Sequence, residues 1–102
     1  MGFRHVVLFR WNDAADDQSR RALFEVLNDL PALIPEISGY HAGPDEGLAE
    51  GNWDFAIVAD FANQDDFEVY RDHPAHHAVI TQRIRPLVAE RAAAQVRTDA
   101  GG

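Results

Sequence analysis

The segment Tyr70-Arg71-Asp72-His73-Pro74-Ala75-His76-His77 holds the side chains best suited to chemistry. Three of the chain's five histidines fall within it, beside a tyrosine and around a proline. An imidazole can move a proton near pH 7, and a phenol can donate a hydrogen bond to a developing oxyanion. Tyr70, His73 and His76 are spaced by three. That spacing shares a face on an unbroken helix and can still converge across a corner. Pro74 has a fixed φ and no N–H, which suits the first position of a helix. His73, immediately before it, is pushed out of the α region and should divide two helices. His76 and His77 then lie in the first turn of the second helix, whose positive end disfavours imidazolium. A neutral imidazole there can serve as a base. It can equally serve as the hydrogen-bonding group of a buried helix start, and the sequence leaves both uses open.

The elements that must position these groups follow from periodicity. His5 to Trp11 reads as a strand, with His5, Val7, Phe9 and Trp11 on one face and Val6, Leu8 and Arg10 on the other. Both faces are largely apolar, which predicts that both are covered. Asn12 to Asp17 is a polar turn, and Leu23, Val26, Leu27 and Leu30 recur at helical spacing from about Asp17 to Leu30. Pro31 and Pro35 are expected to end that helix. Ile37 to Ala42 reads as a short strand and residues 43–52 as a loop. Trp53 to Phe61 reads as a second clear strand, with Phe55, Ile57, Ala59 and Phe61 on one face. Asn63 should cap a helix over Gln64 to Asp72, and Pro74 should start another running to about Arg85. Leu87 to Arg97 is divided: its alanines favour helix, while its position and length favour a last strand.

The order strand, helix, strand, strand, helix pair, strand is the ferredoxin-like split βαββαβ pattern of an α+β domain. Its helices cover only one face of the sheet. The other face is also apolar, so a second copy of the chain is the expected cover, giving a dimeric α/β barrel with an enclosed cavity.

Composition narrows the partners. The chain has 102 residues, enough for one small core, here expected over residues 1–98 with 99–102 as a frayed tail. Seventeen acidic against nine basic residues, with no lysine, give a net charge of −8 and argue against nucleic acid or an anionic membrane. The absence of cysteine excludes disulfides and thiolate chemistry. There is no signal-peptide layout and no apolar run approaching about 20 residues, so a cytoplasmic location is expected.

Several segments together resemble the stress-responsive dimeric α/β-barrel (Dabb) family. They are His5-Val6-Val7-Leu8-Phe9, Leu30-Pro31 with Ile34-Pro35, Gly39-Tyr40 with Gly43, Asp54-Phe55-Ala56 with Phe61, and Tyr70-Arg71-Asp72-His73-Pro74-Ala75-His76. The likeness spans about residues 2–97 and implies a ferredoxin-like protomer, a dimer, and a strand for the last segment. The family includes plant stress proteins, an olivetolic acid cyclase that closes a polyketide by aldol condensation, and a fern hydroxynitrile lyase. Carried over residue by residue, the cyclase's active-site groups fall on Tyr70, His76 and His5. This chain departs in placing His77 directly after the motif and in carrying Trp11 and Trp53 near possible pocket walls.

The resulting expectation is a homodimer with an apolar pocket for a small organic molecule, needing no cofactor. His5, Tyr70 and His76 would be its catalytic groups, and Val7, Phe9, Phe55, Ile57 and His73 its binding residues. Cofactor-free polyketide cyclisation or a lyase step would suit a His/Tyr pair. The competing readings are a non-catalytic stress-associated module, in which His76 braces the corner and Tyr70 packs in the core, and a dimeric-barrel monooxygenase acting on an aromatic polyketide. No metal site is expected, because the proline corner spoils the histidine spacing. His41 receives no task.

Overall fold

The computed structural model of the protein describes residues 2–98. Strand β1 (Phe3–Trp11) leads into helix α1 (Asp17–Leu33), then strands β2 (Ile37–Pro44) and β3 (Phe55–Phe61). Helix α2 (Gln64–Asp72) follows, then α3 (Pro74–Val79), a π-helical turn over Ile80–Ile84, and β4 (Val88–Arg97). The four strands form one antiparallel sheet in the order β2-β3-β1-β4, so the fold is ferredoxin-like α+β. The residues expected as a frayed tail, 99–102, lie outside the described ones. Thr98 is tied down, its N–H donating to the Gly2 carbonyl at 3.0 Å.

Helix α1 starts at a capping box. Asp16 accepts from the Ser19 N–H at 2.8 Å, and Ser19 Oγ accepts from the Asp16 N–H at 3.0 Å. Its Leu23, Leu27 and Leu30, with Ile34 beyond its end, are buried against the sheet. Pro31 does not end it. The helix runs on to Leu33, and the Ile34 N–H still donates to the Leu30 carbonyl at 2.9 Å. A proline this close to the C-terminus forfeits a single helical bond, and the buried residues on either side hold the backbone helical.

The last segment is a strand despite its alanines. β4 fills the free edge of β1 in register from Phe3↔Arg97 to Trp11↔Val88. That ladder outweighs a helix propensity worth a few tenths of a kcal/mol per residue. β2 extends to Pro44, further than expected, because Gly43 and Pro44 still pair with Ala56 and Phe55, and a proline is tolerated at the end of an edge strand. β3 begins at Phe55 rather than Trp53. Asp54 instead clamps β1, its N–H donating to the Phe9 carbonyl and its carboxylate accepting from the Trp11 N–H, both at 2.9 Å.

The two faces of the sheet differ. Toward the helices point His5, Val7 and Phe9 of β1 and Phe55, Ile57, Ala59 and Phe61 of β3, all buried. Phe9 and Phe55 stack across the strands with centroids 6.2 Å apart. The opposite face carries Val6 and Leu8, Ala56 and Val58, and Ala92, Ala94 and Val96, with no helix over it among the described residues. Its border holds an Arg4–Asp60 ion pair at 2.7 Å. Among the described residues, no helix is long and apolar enough to cross a membrane.

Candidate active site between sheet and helices

The corner at His73 is built as Pro74 requires. His73 is extended (φ −68°, ψ 136°), ends α2 and caps α3, its Nδ1 accepting from the Ala75 N–H at 3.0 Å. Three residues on, the His76 ring turns back over α2. Its Nδ1 lies 3.2 Å from the Arg71 carbonyl, an acceptor only, so Nδ1 carries the proton and Nε2 keeps its lone pair. The ring lies against Tyr70, centroids 4.1 Å apart. Tyr70, buried on α2, faces the sheet beside His5 and Phe61, with centroids 6.1 and 5.2 Å away. His5 is held from the other side by the sheet itself. Gln95 of β4, its register partner, donates from Nε2 to His5 Nδ1 at 2.8 Å, so the His5 proton sits on Nε2.

These three groups share one pocket of about 460 Å³ between sheet and helices. His5, Val7, Phe9 and Ile57 form its floor, Leu27, Ile80 and Ile84 its apolar wall, and Arg85, Val88, Ala89 and Arg91 its β4 side. The π-helical turn supplies Ile80 and Ile84; such turns recur at functional sites. Of the residues expected at the site, His5, Val7, Phe9, Ile57, Tyr70 and His76 converge here. His73 does not line the pocket. Phe55 faces a wider cleft of about 890 Å³ beyond Phe9, where Trp11, Phe24, Arg20, Arg21 and several carboxylates meet. That cleft is larger, but it is an open trough of mixed solvated charge and holds none of the histidines. Trp53 lies outside the histidine pocket, under the Arg10 guanidinium at 4.4 Å. His77 and His41 are exposed, His41 on the outer face of β2 opposite Val58. Among the described residues, no three histidine, aspartate or glutamate side chains converge as a metal set.

Sequence reasoning missed Arg85 and Arg91. Strand parity puts Arg91 in phase with Ala93, two residues on, and with Gln95, four residues on, so the three share one face. Which face that was depended on the register with β1.

Protonation in the pocket follows from burial. The His5 pKa falls to about 4, first through desolvation, then through the nearby Arg91 guanidinium and His76. Burial also lowers His76, partly opposed by its bond to the Arg71 carbonyl. Tyr70 is pushed up to about 12 by burial, with Arg91 acting the other way. At neutral pH the site therefore presents a neutral imidazole lone pair, an imidazole N–H and a phenol O–H around an apolar hollow.

His5 makes the fold acid-sensitive. It is protonated in the unfolded chain below 6.5 but in the folded chain only below about 4. Stability from this residue is thus full above 6.5 and drains away as pH falls toward 4, by an amount on the order of 3 kcal/mol. Urea titrations from pH 7 to 4 should show that loss in the wild type and a smaller one in His5→Asn. Parallel curves for the two proteins would show that His5 does not carry it.

The model of the family described as Stress responsive A/B Barrel Domain, Dabb, matches residues 3–97. The chain belongs to the Dabb family. This Dabb chain also matches solved structures. A dimeric ferredoxin-like protein of unknown function from Thermobifida fusca is 46% identical, with 95% of this chain and 91% of that one covered and a TM-score of 0.88. A dimeric protein of ferredoxin-like fold and unknown function from Bacteroides fragilis is 26% identical, covering 94% and 95%, TM-score 0.78. A hydroxynitrile lyase from Passiflora edulis is 16% identical, covering 96% and 94%, TM-score 0.85, a likeness of fold. No curated protein matches the chain.

Proposed function

We propose that this Dabb protein performs cofactor-free acid–base chemistry on a small carbonyl compound held in the histidine pocket. His76 Nε2 takes a proton from the carbon beside the carbonyl. The C–H electron pair becomes the enolate C=C bond as the carbonyl π pair moves onto oxygen, and Tyr70, with the His5 Nε2–H, donates hydrogen bonds to that oxygen. The enolate carbon then attacks a second carbonyl in an aldol closure, whose π pair moves onto its oxygen and takes the proton from His76, or the enolate is itself reprotonated by His76. In cyanohydrin cleavage His76 Nε2 would take the hydroxyl proton, the C–CN bond would break as the carbonyl forms, and the departing cyanide would take that proton back from His76 and leave as HCN; the P. edulis lyase shares the fold. The observation that supports this reading is the Arg71 carbonyl, which fixes the His76 proton on Nδ1 and leaves Nε2 as the basic nitrogen of a ring that packs on Tyr70 and lines the pocket.

One observation favours a non-catalytic binding module: the same His76 bond braces the corner between α2 and α3. Proton exchange separates the two. Incubated in D₂O with benzylacetone, the protein should exchange the protons next to the carbonyl well above the buffer rate, as NMR would record. Exchange at the buffer rate would leave a binding module.

The protomer is proposed to pair with a second copy through the outer face of the sheet. Val6, Leu8, Ala56 and Val58 there are already half-buried by their neighbours, no helix covers them, and the 46% identical T. fusca protein is described as dimeric. Val58→Asp would put an unpaired carboxylate into that interface and should weaken dimerisation by about 100-fold or more. Light scattering after size exclusion reads the result; a wild type that is monomeric at micromolar concentration would refute the pairing.

A further inference from the structure

We propose that the ligand of this pocket is an anionic carbonyl compound, a keto acid with an apolar body, and that Arg91 at the β4 rim, assisted by Arg85, binds its carboxylate. The inference rests on the pocket being a ligand site, as proposed above, and names the class of molecule it takes.

The charge distribution is the first ground. The chain carries seventeen acidic residues against nine arginines, yet the pocket lining includes two of those arginines and no aspartate or glutamate. An acidic protein has concentrated positive charge where a substrate would enter, which raises the local concentration of anions. The second ground is availability. Arg4, Arg10, Arg20 and Arg71 each have a carboxylate partner within 4 Å, whereas Arg85 and Arg91 are among the five arginines with none among the described residues, and of those five only these two line the pocket.

The third ground is placement. Arg91 is the register partner of Phe9, so its side chain rises from β4 on the face toward the helices, next to the pocket floor. Ala93, opposite Val7, is small and leaves space between Arg91 and the Gln95–His5 pair. Arg91 lies close enough to His5, Tyr70 and His76 to bias the ionisation of all three. A planar guanidinium takes a carboxylate through two parallel hydrogen bonds, which orients as well as attracts. With the carboxylate at Arg91 and the apolar body against Leu27, Ile80 and Ile84, the ketone would lie against the packed Tyr70–His76 pair, which lines the same pocket. Arg91 is thus a binding and orienting residue; the proton transfer remains with His76.

The test uses 4-oxo-4-phenylbutanoate and its neutral analogue 4-oxo-4-phenylbutanamide in calorimetric titrations of the full chain at pH 7.5. The carboxylate is expected to bind at least about tenfold tighter than the amide, a preference that shrinks as salt is raised. In Arg91→Gln the preference should fall below about threefold, and Arg91→Lys should restore part of it. Circular dichroism checks that the variants fold, and the wild-type comparison stands without them. Equal binding of the two probes by the wild type would overturn the anion preference while leaving the pocket reading intact. A preference that persists undiminished in Arg91→Gln would overturn the assignment of the carboxylate to Arg91. If neither probe binds, the pocket reading falls and takes this inference with it.

Discussion

In His76→Ala, proton exchange at the carbon beside the benzylacetone carbonyl should fall by about 10²- to 10⁴-fold, the usual contribution of a positioned general base. The loss should appear in kcat, because the imidazole works on the reacting proton rather than on the body of the ligand. Tyr70→Phe keeps the ring against His76 and Phe61 and removes only the hydroxyl, so it should lose the oxyanion donor, about 10- to 100-fold, with little change in stability. The wild-type rate should rise with pH as His76 deprotonates. Since burial lowers its pKa from 6.5, the plateau should be reached by neutral pH. It should persist into the weakly alkaline range, because Tyr70, pushed up to about 12, stays protonated. His76→Ala also removes the bond to the Arg71 carbonyl, a loss of about 1 kcal/mol, so exchange must be compared on protein shown to be folded. A folded His76→Ala protein that exchanges at the wild-type rate would assign the residue to the corner alone.

Phe61→Ala should destabilise the protein by about 3–5 kcal/mol. The ring is 2% exposed and sits at the end of β3 between Phe67 and Tyr70, centroids 5.6 and 5.2 Å away, with Phe3 and Ile37 paired to it on either side. Its removal leaves a cavity that rigid β1 and β2 backbones cannot close. For a domain of this size, whose total stability is of order 5–15 kcal/mol, that is a large share. Melting temperature should drop by about 15 °C or more. Tyr70 leans on this ring, so the variant should also loosen the pocket and weaken ligand binding. A fall of less than about 5 °C would show that the aromatic cluster repacks around the gap.

What the sequence determined by itself was whatever depends on near neighbours along the chain. Alternation marked β1 and β3 and sorted their faces, so Val7, Phe9 and Ile57 were correctly set on one side. Asn63 and Pro74 announced their helices through capping and a fixed φ, and the Tyr70–His77 pattern marked the corner. The element order was enough for the ferredoxin-like fold. Where a local rule competed with distant packing, it failed: Pro31 should have ended α1, but Leu27, Leu30 and Ile34 keep it helical against the sheet. The alanines of residues 92–94 were ambiguous for the same reason, since only the open edge of β1 makes them a strand.

The tertiary structure decided how the site works. It bent the His76 ring onto the Arg71 carbonyl, chose the nitrogen that carries the proton, and set Gln95 against His5 across ninety residues of chain. It also turned Arg91 toward the pocket, a fact of β4 register that no spacing within residues 88–97 contains. Side-chain periodicity is a property of a segment, whereas register, tautomer and the company a charge keeps are properties of segments meeting, and those exist only in the folded chain.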